Sequence, residues 1–200
     1  EGITPDAVYQ FVLTEDAILD INITGTNAVT ALYKGDFNSN GPSNDNNYQL
    51  SSTKFFFDFE NGDFSGLTLK DADDDGSNWE IYSGGYNSSN YCARSYSYNN
   101  GVYYPENYII TDKKYYITES SVLSFYATSF AQYKDGYTIE YSEDGIEFIE
   151  FASKTAEGYN NFELHEFNLS SLAGKDVYLA INHNTSGQDY LRIDDLRLSD

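Results

Sequence analysis

Basic residues are scarce in this chain. It has 11 Lys+Arg against 32 Asp+Glu, a formal net charge of -21. Nothing here neutralises a phosphate backbone, so nucleic acid is excluded as a natural partner, and an anionic membrane surface is disfavoured for the same reason. Cysteine is nearly absent as well. Cys92 stands alone, so there is no intrachain disulfide and no zinc-ligand pattern. No apolar run is long enough to cross a bilayer, so membrane insertion is not expected. There is no glycine-rich phosphate loop. The chain begins at Glu1 and has no Met, so it is expected to be a segment of a longer protein, with other domains of the same polypeptide as neighbours.

What is plentiful is aromatic and small polar. Twenty Tyr and 13 Phe lift the hydrophobic content to 40%, so the acidity is not that of a disordered tail. These residues suffice for one core of ordinary size. Much Tyr, Asn, Ser, Thr, Gly and Asp with little Lys or Arg suits a secreted or cell-surface β-rich module. Sequons such as the one at Asn168 add nothing without the host.

Almost nothing reads as helix. Short alternating or β-branched runs are separated by turn clusters, which is the pattern of a sandwich. AVYQFVLT (7–14), AILDINIT (17–24) and AVTALYKG (28–35) read as three strands, followed by a polar linker over 35–53. Nine more are expected: KFFFDFE (54–60), NWEIYSG (78–84), ENYIIT (106–111), SVLSFYATSF (121–130), YTIEYSE (137–143), EFIEFAS (147–153), NFELHEFNL (161–169), DVYLAINH (176–183) and YLRIDDLRL (190–198). Asp144-Gly145 marks a hairpin turn, and Leu169–Gly174 reads as one helical turn. The expected organisation is an N-terminal β segment and linker over 1–53, then an all-β sandwich over 54–200.

The stretch DADDDGSNWE (71–80) carries the strongest chemical signal. Asp71, Asp73 and Asp75 alternate, and Gly76 follows in the sixth place. Those positions supply oxygens to a hard cation in a calcium loop, and glycine permits the sharp turn. The twelfth place holds Tyr82 rather than Glu, and the flanks read as strand, so this is not an EF-hand. The missing oxygens must come from elsewhere. Asn78 is one source within the loop. Asp58 and Glu60, two apart and so on one face of a strand, are a second; Asp194 and Asp195, one pointing each way, are a third. Neighbouring first and last strands would bring both sets to one ion. The plain alternative is a solvated turn, since Asp and Gly are ordinary turn residues. A fainter copy, Asp36-Phe-Asn38-Ser-Asn40-Gly41, has neutral amides in two ligand places and reads as linker.

Together, FDFENGDFSGLTLKDADDDGSNW, YCARSYSYNNGVYYPENYIIT and LAGKDVYLAINHNTSGQDYLRIDDLRL resemble the cleaved-adhesin domains. These are MAM-like, jelly-roll modules of gingipain-type haemagglutinin/adhesin regions. The shared elements are an opening FE-x-G, a D-x-D-x-D-G-x-x-W loop, S-x-S-Y before P-x-N-Y-[IL]-[IV]-T, and A-x-x-H before D-D-[LIV]. They occur in order across roughly 54–200. The resemblance implies a jelly-roll β-sandwich with structural Ca2+, acting in adhesion or ligand binding. By position, Glu60, the Asp71–Asp75 loop and Asp194/Asp195 are the acidic motif positions; their role as ligands is an inference from their chemistry. Trp79 would be core beside the loop. Where the family often has Pro and Trp before that loop, this chain has Asp63-Phe64-Ser65-Gly66-Leu67, which puts the local loop shape in question. Residues 1–50 lie outside the match and look like late strands of a small bacterial sandwich of the pre-peptidase C-terminal type.

A catalytic reading needs a convergent site. Cys92 as nucleophile with His183 as base is the available pair, but a lone Cys in a β-rich chain is usually core. His183, at the family's histidine position, is expected to make a structural hydrogen bond. Jelly-roll glycosidases carry paired carboxylates on one strand, and no ExDxxE occurs. The tyrosines around 82–104, with Asn87, Asn90, Asn99 and Asn100, instead suit recognition of a host or matrix protein or a glycan. Tyr86, Tyr96, Tyr98 and Tyr103 are the candidate contacts; the alternative is that they are half-buried strand residues. The expected function is a calcium-stabilised, non-catalytic adhesion module. Its rivals are a carbohydrate-binding module serving an attached hydrolase, a structural spacer, and an enzyme using Cys92 or the acidic residues.

Overall fold

The computed structural model describes residues 53–200; the strands read over 7–35, the linker and the Asp36–Gly41 loop lie outside them. The twelve strands described are β1 (Thr53–Phe57), β2 (Leu67–Asp71), β3 (Glu80–Ser83), β4 (Tyr91–Tyr96), β5 (Asn107–Thr111), β6 (Tyr115–Tyr116), β7 (Val122–Ser129), β8 (Gly136–Ser142), β9 (Ile149–Thr155), β10 (Glu163–Asn168), β11 (Asp176–His183) and β12 (Tyr190–Ser199). They form a β-sandwich of jelly-roll type. Sheet A runs β10-β7-β12-β4-β3, with β1 also on β12; sheet B runs β2-β5-β11-β8-β9, with β6 on β11. All pairings are antiparallel. The helical turn read at 169–174 is a short 3-10 turn at Ser170–Leu172. Asp144 caps the β8–β9 turn as expected, accepting from Ile146 N and Glu147 N, while Gly145 takes a φ of 80°.

Period-two alternation builds the core. Phe125 and Ala127 on β7, Leu191 and Ile193 on β12, Ile139 on β8, and Val177, Leu179 and Ile181 on β11 fill the space between the sheets. Trp79 is only 3% exposed and donates its Nε1–H to the Asn107 carbonyl at 2.8 Å. It is the core residue the sequence suggests.

One edge of β12 serves two neighbours. Residues 190–193 pair with β4 and 196–199 with β1. Between them, three steps on β12 (Asp194 to Arg197) match two on β7 (Tyr126 to Ser124), so one residue bulges. Asp195 there has a φ of 52°. The extra residue flips the parity: Leu191 and Ile193 face the core before it, Leu196 and Leu198 after it.

His165 is buried in the aromatic layer beside Phe125 and Phe167, its Nδ1 hydrogen-bonded to the Tyr137 hydroxyl. Burial pushes its ring down from 6.5 to about 4. The unfolded chain therefore takes up a proton that the fold refuses. Stability from this residue is full above about 6.5 and is lost as pH falls toward 4, by at most about 3 kcal/mol. Asp194, raised to about 6 by burial, slopes the other way over part of that range. The comparison that isolates His165 is wild type against His165→Phe in denaturant melts from pH 7 to 4. The wild-type curve should lose more stability on acidification; parallel curves would refute the assignment.

Candidate functional site

The acidic loop joins β2 of sheet B to β3 of sheet A. Asp71 ends β2 opposite Asn107, and Ala72 N donates to the Glu106 carbonyl at 3.0 Å. Asp74 and Gly76 both take positive φ, 56° and 80°. The fold brings carboxylate oxygens of Asp71, Asp73 and Asp75 within 4.8 Å of one another, the one such acidic, His or Cys group among the described residues. Internal donors do not saturate it. Asp71 Oδ2 accepts from Gly76 N at 3.0 Å and Asp75 Oδ1 from Ser77 N at 2.7 Å, but Asp71 Oδ1 is buried with no partner. Asp73 receives only a long bond from Glu106 N at 3.4 Å. Burial, then contact with Asp71, raises its carboxyl above the ordinary range. Three close carboxylates with an orphaned buried oxygen fit a hard cation well. Asn78 Oδ1 is occupied by Trp79 N at 2.7 Å.

The other acidic residues do not join this group. Asp58 and Glu60 were expected on a strand face, but β1 ends at Phe57 and a turn follows. Phe59 takes a φ of 58°, and Asp58 accepts from Glu60 N at 3.1 Å. Asp194 and Asp195 were expected to point to opposite faces; the bulge breaks that alternation, and neither enters the apolar core. β1 and β12 are indeed neighbours, so Asp58 and Glu60 lie close enough to raise the Asp195 carboxyl, after burial. Glu60 and Asp194 hold the 84–91 loop. Glu60 accepts from Ser89 Oγ (2.6 Å), Tyr91 N (2.8 Å) and Asn90 Nδ2 (2.7 Å), which hold its carboxyl down at about 2. Asp194 Oδ2 accepts from Tyr86 N at 2.8 Å. A Cβ on Gly85 would lie 2.1 Å from that oxygen and 2.6 Å from the Tyr91 carbonyl, so glycine is required there.

The four candidate tyrosines divide. Tyr86 stacks on Tyr126 with ring centroids 3.5 Å apart, and Tyr96 meets Tyr190 edge-on at 6.2 Å. Tyr98 is 44% exposed and bridges to Val102, and Tyr103 N bonds the Ser97 carbonyl, so these two sit in the loop after β4. Ala93 and Ser95 face inward, so Arg94 and Tyr96 stand on the outer face of sheet A with Tyr82, Tyr190 and Arg192. Arg94 lies 3.5 Å over Tyr82 and 4.4 Å over Tyr96.

The catalytic pair does not form. His183 Nδ1 meets Ser95 Oγ at 2.8 Å, and Nε2 meets Asp135 Oδ1 at 3.1 Å. The order Ser–His–Asp resembles a hydrolytic triad in connectivity. All three are fully buried, so no scissile bond reaches the Ser95 hydroxyl. Cys92 is fully buried too, and desolvation pushes its thiol up to about 12. It has no nucleophilic thiolate near neutral pH.

The model of the Cleaved Adhesin Domain family matches residues 52–198. The chain belongs to that family. Its cleaved adhesin domain is similar to the K1 cleaved adhesin domain of Lys-gingipain from Porphyromonas gingivalis W83, at 24% identity and a TM-score of 0.64, covering 74% of this chain and 97% of that one. The K2 domain of Lys-gingipain gives 22% and 0.61, covering 72% and 98%. The CBM22-1 xylan-binding domain from Paenibacillus barcinonensis Xyn10C shares the fold at 10% identity and a TM-score of 0.51, covering 74% and 94%. No curated protein matches the chain in sequence.

Sequence reasoning about this cleaved adhesin domain missed Arg94, Tyr190 and Arg192 as residues of the outer face of sheet A. Tyr190 and Arg192 alternate with Leu191 and Ile193, so their outward face was signalled by period two. What hid them was that β4 had not been read as a strand, and only β4 brings Arg94 opposite Arg192.

Proposed function

We propose that this cleaved adhesin domain is an extracellular or surface-attached binding module, stabilised by calcium held at Asp71, Asp73 and Asp75. The carrying observation is the unpartnered, buried Asp71 Oδ1 inside a three-carboxylate loop. When bound, the ion supplies the positive charge that these oxygens lack and ties β2 to the entry of β3. In a chain of net charge -21 it also relieves self-repulsion. The buried states of Cys92, Ser95 and His183 support a non-catalytic role. The partner class is a host or matrix protein or a glycan.

A second reading, a carbohydrate-binding module that delivers an attached hydrolase, is favoured by the aromatic outer face of sheet A. One experiment tests both. Calcium-loaded protein is applied to an array of matrix proteins and glycans, then washed with chelator. Retention that chelator weakens supports the calcium-stabilised adhesion reading. Retention on glycans alone favours the second. No retention on any surface would leave only the spacer role and overturn both.

A further inference from the structure

Arg94 and Arg192 are two of the three arginines in the chain, and they face each other as cross-strand partners on β4 and β12. Like charges directly opposite one another destabilise a sheet. Carboxylates are abundant in this molecule, and Asp189 lies near enough to feel the Arg94 charge, yet the pair makes only one ion pair among the described residues. Glu80, 47% exposed, takes Arg94 Nη2 at 2.5 Å and Nε at 2.9 Å. Arg192 has no ion pair among the described residues. Its Nη1 donates to the Gly84 carbonyl at 3.1 Å and its Nη2 to Asn160 Oδ1 at 2.5 Å, both neutral. Its Nε is buried without any partner, and the residue is only 7% exposed. A buried cation left uncompensated is costly unless an anion joins it.

Tyr82, Tyr96 and Tyr190 surround the two guanidinium groups. Arg192 lies 5.5 Å from the Tyr82 ring centroid and 5.2 Å from that of Tyr190. All three rings are half-buried. They give flat apolar faces at sheet level, and pyranose C–H faces stack on such rings while hydroxyls meet Asn160 and the tyrosine hydroxyls. An extended acidic peptide would supply the carboxylate but has no matching flat face. A dense polyanion is opposed by the charge of the whole chain.

Resting on the binding-module reading above, we propose that the outer face of sheet A binds a sugar chain carrying an isolated carboxylate. The carboxylate seats on the Arg94–Arg192 pair, displacing Glu80, and the pyranose rings lie on Tyr82, Tyr96 and Tyr190. Sialylated and glucuronylated glycans share this chemistry.

Isothermal titration of calcium-loaded protein tests it with 3′-sialyllactose against lactose, a glucuronic-acid-bearing xylo-oligosaccharide against its neutral counterpart, and a Glu-rich peptide. At least one acidic sugar should bind about tenfold or more tightly than its neutral partner, the scale of one charge-assisted hydrogen bond. The pair that shows the difference names the source of the carboxylate. Arg94→Gln should abolish that preference. Glu80→Gln should tighten acidic-sugar binding several-fold and leave neutral sugars unchanged, a gain that misfolding does not mimic. No binding of either acidic sugar at millimolar concentration, equal binding of acidic and neutral sugars, binding of the peptide alone, or no response to Glu80→Gln would each overturn the proposal. If the array finds another partner while these sugars fail, the adhesion reading survives without this site.

Discussion

Asp135→Ala should destabilise the domain by about 3–5 kcal/mol, the cost of deleting a buried carboxylate and leaving its several hydrogen-bond donors unpaired. Asp135 is fully buried and accepts from Ser97 Oγ at 2.6 Å, Ser129 Oγ at 3.2 Å and Asp189 N at 3.2 Å, besides meeting His183. His183 continues to Ser95, which also takes a bond from Asn107 Nδ2 at 3.0 Å. One carboxylate thus gathers the loop after β4, the β7–β8 connection and the approach to β12. Its removal strands several buried donors at once, and each stranded group costs separately. For a domain of this size the midpoint should fall by about 10 °C or more. Asp135→Asn, which keeps the shape and one acceptor oxygen, should cost less. Urea melts of the two variants decide the matter; a loss below about 1 kcal/mol in the alanine variant would show that the network is not holding the loops.

Calcium withdrawal is the second large effect. If free calcium stands at a hundredfold over its dissociation constant, binding to the folded state alone contributes about 2.7 kcal/mol. Excess chelator should then lower the midpoint by about 5–10 °C. Asp73→Ala/Asp75→Ala should abolish the response. It should also reverse the ranking in chelator. Without a cation the crowded carboxylates repel, and the Asp73 carboxyl is already raised by burial and by Asp71. A raised acid contributes stability while protonated and loses it as pH rises through the folded-state value. The double variant should therefore melt above wild type in chelator at neutral pH and below it in calcium. Identical melts of wild type in both conditions, with no metal by elemental analysis, would reduce the loop to a solvated turn.

Most of the sandwich was legible in the sequence because alternation and turn chemistry agree there. DVYLAINH is β11 residue for residue, and Asp144-Gly145 closes the hairpin as read. Strands β2, β4 and β6 were not read. The sequence of β4, YCARSY, alternates, but its tyrosines pointed to a surface patch, and its neighbours Asn99 and Asn100 masked the boundary. The DxDxDG spacing located the acidic loop because its oxygens come from adjacent positions in the chain. The roles of Glu60 and Asp194 were not visible, because their loop partners lie 29–31 and 108 positions away, and Asp195 beside them takes the bulge. A bulge moves a carboxylate by one residue of register that no local periodicity records. The Arg94–Arg192 contact is a property of pairing, and pairing joins residues about a hundred positions apart.

The branched edge of β12 has a consequence for how the molecule is made. This strand is in the middle of sheet A and touches β7, β4 and β1, yet it is last in the described chain. During synthesis the earlier strands leave the ribosome without their central template. Sheet A closes only after Ser199 has emerged, with β1 waiting about 140 residues for its partner. Such long-range closure makes assembly slow, with β1, β4 and β7 exposed as unpaired edges until β12 has emerged. Nascent-chain pulling experiments should register a single late folding event, and a chain stalled at residue 189 should remain open to protease.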